Sequence, residues 1–250
     1  MIQLTIMKIT GYGPWTLTLG SDREHELQML QASLYKEVQD RFSRKDSLVF
    51  LNRGDEYFAV TNGLTLEDHV AIQEHLESKF DLRLAMSIGH ADTPYGANLR
   101  AFEAKKSGVL LNGEHAIYGR VDESSEKRAT IMHMDVEDLA SSRKTKSPYE
   151  ISNSMFSLLA KMSAFFMEKG SLAFFLGGDN FMIVTHGDSK SFAREFTDLV
   201  QREDDITLNC GIGHAGTSRD AARLATKSLD TIREMRDAGT ERPRIYELSC

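Results

Sequence analysis

Two stretches of this chain fix its architecture: Leu48–Gly63, LVFLNRGDEYFAVTNG, and Leu172–Gly187, LAFFLGGDNFMIVTHG. Aligned end to end, Leu, Phe, Gly, Asp, Val, Thr and Gly coincide, and the two aspartates, Asp55 and Asp179, are 124 residues apart. Each stretch is an apolar run, a glycine-aspartate turn and a second apolar run, which predicts a β-hairpin. The same spacing recurs downstream, where Ile88-Gly89-His90-Ala91-Asp92-Thr93 matches Ile212-Gly213-His214-Ala215-Gly216-Thr217. Upstream, Thr5-Ile6-Met7-Lys8-Ile9-Thr10 resembles Thr130-Ile131-Met132-His133-Met134-Asp135. A period this long is a duplicated domain rather than a solenoid repeat. The expected domains are 1–121 and 129–250, joined by the polar linker Asp122-Glu123-Ser124-Ser125-Glu126-Lys127-Arg128.

Around each hairpin the chain repeats one plan. A β-rich run opens the copy and an amphipathic helix follows. In the first copy Ser21-Asp22-Arg23-Glu24 reads as a capping box, followed by the stripe Leu27, Leu30, Leu34, Val38 and Phe42. In the second, Ser147-Pro148-Tyr149-Glu150 is the same device with proline in the first turn, and Gly170 is the expected stop. A second helix begins near Thr65 or Ser189, then comes the strand ending in Ile-Gly, then a further helix, clearest from Ser218 to Met235. The order β-α-β-β-α-β with an α-β extension predicts an α+β fold. It is a tandem duplication of a ferredoxin-like domain, each copy with an antiparallel sheet and helices on one face.

In the second copy Asp135 ends the first strand and Asp179 sits at the tip of the hairpin, in Gly177-Gly178-Asp179-Asn180-Phe181. The topology makes these elements neighbours, so the two carboxylates are expected at one sheet edge. Oxygen ligands of this kind suit magnesium, and paired ions grip a triphosphate and activate water. Gly177 and Gly178 clear side chains from a ligand's approach, and Val136-Glu137-Asp138-Leu139 is expected to offer backbone N–H groups to phosphate. Taken singly, a Gly-Gly-Asp turn is also an ordinary hairpin turn, and Asp135 also an ordinary strand-end aspartate. His133 shares a sheet face with Asp135 and is a candidate for proton movement, or else a packed core histidine. The first copy keeps Asp55 but has Thr10 and Lys8 in place of Asp135 and His133, so its acidic pair is broken.

The strand-end aspartate with a Gly-Gly-Asp-x-Phe hairpin resembles the palm domains of diguanylate cyclases, nucleotidyl cyclases and polymerases. Within that superfamily the chain is similar to archaeal GTP cyclohydrolase III. The shared pieces are Met1-Ile2-Gln3, Tyr12-Gly13-Pro14-Trp15-Thr16, Leu48-Val49-Phe50, Thr93-Pro94-Tyr95, His133 with Asp135, Gly177-Gly178-Asp179-Asn180-Phe181-Met182 and Gly211-Ile212-Gly213. The resemblance implies hydrolysis of GTP to a formylamino-pyrimidine ribosyl monophosphate and two phosphates. It also implies two Mg2+ ions, assistance from a monovalent cation such as K+, and a homo-oligomer, dimer or tetramer. On this reading Asp135, Asp179 and the Val136 carbonyl hold metal. Asp135, Asp179, His133 and Asp55 are the catalytic candidates, and Val136, Glu137, Asp138, Gly177, Gly178 and Asn180 line the triphosphate. The chain departs from the family's pattern at Thr10 and Gly11, where an acidic residue and Asn are usual, and at Glu137-Asp138, where neutral amides are usual. The rival readings are a nucleotidyl or diguanylate cyclase and a non-catalytic GTP sensor.

Composition agrees with a nucleotide enzyme in the cytoplasm. A net charge of −7 argues against a nucleic-acid coat. The two cysteines, Cys210 and Cys250, provide neither a disulfide framework nor a cysteine-rich zinc site. No run of 18 apolar residues predicts a membrane span, and the start of the chain lacks a secretory pattern.

Overall fold

A computed structural model describes residues 1–121, 128–137 and 144–250. The expected linker at 122–127 and the candidate Asp138 lie outside the described residues. The chain divides into two compact units, one built on residues 1–92 and 96–121 and the other on residues 93–95 and from 128 to 250.

The first unit runs β1 (Ile2–Ile9), α1 (Tyr12–Thr16), α2 (Arg23–Ser43), β2 (Leu48–Arg53), β3 (Glu56–Val60), α3 (Leu66–Phe80), β4 (Leu84–Ala91), α4 (Pro94–Ser107) and β5 (Ile117–Gly119). The second runs β6 (Ala129–Val136), α5 (Pro148–Glu168), β7 (Leu172–Gly177), β8 (Asn180–Thr185), α6 (Ser189–Asp204), β9 (Leu208–Ala215), α7 (Ser218–Asp237) and β10 (Ile245–Ser249). The strand orders are β2-β3-β1-β4-β5 and β10-β9-β6-β8-β7. In each, four antiparallel strands form the ferredoxin-like core, and an extension strand adds in parallel, β5 beside β4 and β10 beside β9. The duplicated mixed α/β fold expected from the repeat is therefore present.

Alternation along the strands decides which helix covers which face. In the second unit Met132, Met134, Phe181, Ile183, Cys210 and Ile212 point to one face. They are buried there with Met155, Leu158, Met162 and Phe166 of α5 and Phe196 and Val200 of α6. Each large side chain so buried contributes roughly 1.5–3 kcal/mol. The helices of the β-α-β-β-α-β core thus share one face, as the layout requires. The extension helix α7 takes the other face, which corrects the expectation of helices on one face only. It approaches closely because Gly211 and Gly213 offer no side chain. A Cβ at Gly211 would lie 2.0 Å from the Ala225 carbonyl oxygen, and one at Gly213 2.0 Å from that of Ala221. The first unit repeats this with α4, where a Cβ at Gly89 would lie 2.2 Å from the Ala97 carbonyl oxygen.

The helix starts follow local chemistry. Ser147 and Glu150 form the expected capping box ahead of Pro148, and Thr65 with Asp68 forms another; each cap contributes about 1 kcal/mol. The box expected at Ser21–Glu24 does not form. Helix α2 starts after Asp22, whose φ of −91° and ψ of 17° are not the extended geometry that turns a capping side chain onto the first turn. No helix among the described residues is long and apolar enough to cross a membrane.

Candidate functional site

The register of the second sheet brings the acidic residues together. Strand β6 pairs antiparallel with β8 so that Asp135 stands opposite Asn180 and His133 opposite Met182. Directly opposed residues lie about 5 Å apart, so the hairpin tip at Asp179 is next to the end of β6. The tip is tight, with Gly177 paired to Asn180. Gly177 and Gly178 have φ of 104° and 65°, a backbone that side-chain-bearing residues rarely adopt. A Cβ at Gly177 would meet nothing within 4 Å, so the space over the turn is open.

His133 and Asp135 point away from the methionine-rich core, towards α7. The His133 ring is bounded at both nitrogens, with Nδ1 3.1 Å from Thr226 Oγ1 and Nε2 3.0 Å from Asn180 Oδ1. The Asn180 amide nitrogen in turn donates to Asp179 Oδ1 at 2.9 Å. The Asn180 oxygen is thereby the acceptor, which assigns the proton to His133 Nε2 and leaves Nδ1 to accept from Thr226. Burial holds the His133 pKa below its ordinary 6.5, ahead of the opposing hydrogen bond to Asn180. The result is a continuous chain, Thr226 to His133 to Asn180 to Asp179, that ends on the carboxylate at the turn.

Asp135 is 6% exposed. Its Oδ2 accepts from Arg233 of α7, at 2.6 Å from Nη2 and 3.2 Å from Nε. Its Oδ1 is buried with no hydrogen-bond partner. Arg233 also donates to Asp230 Oδ1 at 2.9 Å. Val136 closes β6 opposite Leu208. The Glu137 carboxylate is paired with Arg242, which also reaches Asn209 Oδ1 at 3.4 Å. The Glu137 amide donates to the Thr207 carbonyl at 2.9 Å. That bond corrects the expectation of a free N–H group for phosphate at this position, because the strand-end amide is already used by the neighbouring loop.

Asp55 belongs to the first unit. There Lys8 Nζ lies 3.6 Å from it and Arg53 Nε 4.0 Å. Lys8 takes the place that His133 has in the second unit, so this carboxylate sits among cations. His214, recurrent in the repeat, contacts Thr130 Oγ1 at 2.9 Å and Glu247, a structural use.

Four residues of this site escaped the sequence reading: Thr226, Arg233, Arg242 and Asn209. Thr226 and Arg233 are seven apart, two helical turns, and so share the face of α7 turned to the sheet. Beside the hairpin tip, a cavity of about 400 Å³ is lined by Pro148, Ile151, Ser152, Met155, Phe156, Phe175 and Gly178. A second, of about 490 Å³, lies beyond Val136 along α5 and shares Ile151 and Met155 with it.

Among solved structures, the active GGEEF domain of a diguanylate cyclase from Vibrio cholerae aligns with 49% of this chain and 85% of its own. The identity is 17% and the TM-score 0.37. A bacterial light-regulated adenylyl cyclase aligns with 94% of this chain and 83% of its own, at 11% identity and a TM-score of 0.38. Sequence relatives are much nearer. GTP cyclohydrolase III of Methanothermobacter thermautotrophicus is 36% identical over 243 residues, covering 93% of this chain and 95% of that protein. The protein of the same name from Methanosphaera stadtmanae is 32% identical over 238 residues, covering 93% of each. The family described as GTP cyclohydrolase III matches residues 1–242. With nearly its whole length accounted for in this way, the chain belongs to the GTP cyclohydrolase III family of enzymes.

Proposed function

We propose that the second unit hydrolyses GTP to 2-amino-5-formylamino-6-ribosylaminopyrimidin-4(3H)-one 5'-monophosphate and two phosphates. One observation carries the reading. A buried strand-end carboxylate with an unpartnered oxygen, Asp135, adjoins a glycine-cleared hairpin tip bearing a second carboxylate, Asp179. A buried carboxylate oxygen without a partner is costly in an isolated protein, and a hard cation removes that cost. These residues therefore fit Mg2+, with Asp135, Asp179 and the Val136 carbonyl as the ligands. Two such ions, with a monovalent cation such as K+ beside them, would neutralise the triphosphate and polarise water. The active species on this reading is a homo-oligomer, dimer or tetramer.

The chain's own residues prepare the reaction. Arg233 holds Asp135 by Oδ2 alone and leaves Oδ1 uncommitted. The chain from Thr226 through His133 and Asn180 fixes the Asp179 carboxylate before substrate arrives, so no reorganisation is needed at the moment of reaction. His133 enters neutral at pH 7, because burial lowers its pKa. It positions Asp179 in the resting state and, being neutral, is able to accept a proton from attacking water. Gly177 and Gly178 admit the phosphates to the turn, and the cavity between α5 and Phe175 takes the purine.

The test is product identity. On incubation with GTP and Mg2+, inorganic phosphate should appear together with loss of the purine absorbance. Pyrophosphate with an intact purine would instead indicate a cyclase and end this proposal.

A further inference from the structure

The first unit contains a cavity of about 620 Å³ on the α4 face of its sheet. Its existence follows from helix length. In the second unit α7 runs to Asp237 and places Arg233 over Asp135. At the repeat spacing of 124 residues, its counterpart α4 stops at Ser107, about six residues short. The end of β1 is therefore uncovered, and the space is floored by Ile6, Lys8 and Phe58 and walled by Leu99 and Phe102 of α4. Leu99 is 45% exposed and Phe102 57%, so apolar surface is presented here rather than packed.

The net charge at this place is more positive than in the second unit. Lys8 stands where the second unit has His133, Thr10 where it has Asp135, and Arg53 where it has Gly177; only Glu56, in place of Asn180, adds negative charge. Lys8 Nζ lies 3.6 Å from Asp55 and 3.8 Å from Glu56, and Arg53 Nη2 lies 2.8 Å from Glu56. An ammonium group thus neutralises the hairpin carboxylate that, in the second unit, is free for a cation. Lys105 adds a further positive charge on the α4 side of the cavity.

We propose that this cavity is a second ligand site, for a nucleoside phosphate bound without a divalent metal. The base lies against Phe102, Leu99 and Phe58, and the phosphate is met by Arg53 and Lys105. Flat apolar walls with a cationic rim are the complement of a heterocycle carrying an anion. The absence of a carboxylate at position 10 removes a metal ligand, and Lys8 and Arg53 offset the charge of the remaining Asp55 and Glu56. The inference does not depend on turnover by the second unit.

The experiment is calorimetric titration of the full-length protein with GMP in EDTA, which removes divalent cations from both units. Saturable binding is expected, with affinity roughly tenfold weaker in Phe102→Ala and in the double variant Arg53→Ala/Lys105→Ala. All three residues are solvent-exposed, so these changes leave the core intact. The Asp179→Asn variant should bind GMP in EDTA as the parent does, which separates this site from the one in the second unit. No binding in EDTA would overturn the proposal, and so would binding lost in Asp179→Asn but kept in Phe102→Ala. Guanosine binding as tightly as GMP would overturn the phosphate contact.

Discussion

Arg233 reaches from the fifth turn of α7 to hold one oxygen of the Asp135 carboxylate, at 2.6 Å, while the other oxygen of the same group is buried without a partner. The two residues are 98 positions apart in sequence. The pair leaves the carboxylate half-satisfied: the charge of Asp135 is balanced, but its Oδ1 has no hydrogen-bond partner. Replacing Arg233 by Ala should therefore destabilise the protein by about 1–3 kcal/mol, the cost of a buried charged group losing its partner. Urea denaturation without metal would measure it. Added Mg2+ should raise the melting temperature of Arg233→Ala more than that of the parent, since a cation then replaces the missing guanidinium. Equal shifts in both proteins would remove Asp135 from the metal ligands.

Asp179 carries the second carboxylate, and its orientation comes from Asn180. Asp179→Asn should lower GTP turnover by roughly a hundredfold or more, the scale of losing one electrostatic contact made in the transition state. Asp179 is part-exposed in a turn, so melting should change little. Asn180→Ala cuts the link to His133 and should lower kcat while leaving the folded structure intact. Full activity in Asp179→Asn would refute the site.

His133 sets a pH dependence. Its pKa is held below 6.5 by burial, so the folded protein prefers the neutral ring. The associated stability is present above pH 6.5 and is lost as pH falls from there towards the folded-state pKa, because the unfolded chain takes up the proton first. His69, buried in the first unit between Thr5 and the Thr65 carbonyl, is lowered by the same cause and acts in the same direction. Denaturation midpoints measured between pH 7.5 and 5 should fall with acid, and His133→Gln should flatten part of that slope. An unchanged slope would show that His133 does not titrate in this range.

Gly211 is a test of how α7 is seated. Its hypothetical Cβ lies 2.0 Å from a backbone oxygen, which has no rotamer by which to move aside. Gly211→Ala should cost about 3 kcal/mol or prevent folding, at the upper end of overpacking. Where the variant folds, activity should fall more steeply than stability, because Thr226 and Arg233 move with the helix. Crystallography or denaturation of Gly211→Ala would check this, and a neutral result would show that α7 adapts without moving the site.

The repeat, the strand order and the hairpin with its acidic tip were all legible in the chain. Duplication at one spacing and period-two alternation are local or self-referential patterns, and a strand register then follows from the turn. The sequence also placed Asp135, Asp179 and Asn180 at one edge, since opposed strands leave little choice. It could not place Arg233 on Asp135, show that Glu137 spends its amide on Thr207, or reveal that a shorter helix opens the cavity over Lys8. The first and third depend on which face of the sheet the extension helix covers and how far along it runs, and the second on how far the β6–β9 pairing continues past Val136. Glycines with no periodicity of their own set that approach, and only packing in three dimensions shows what they let in.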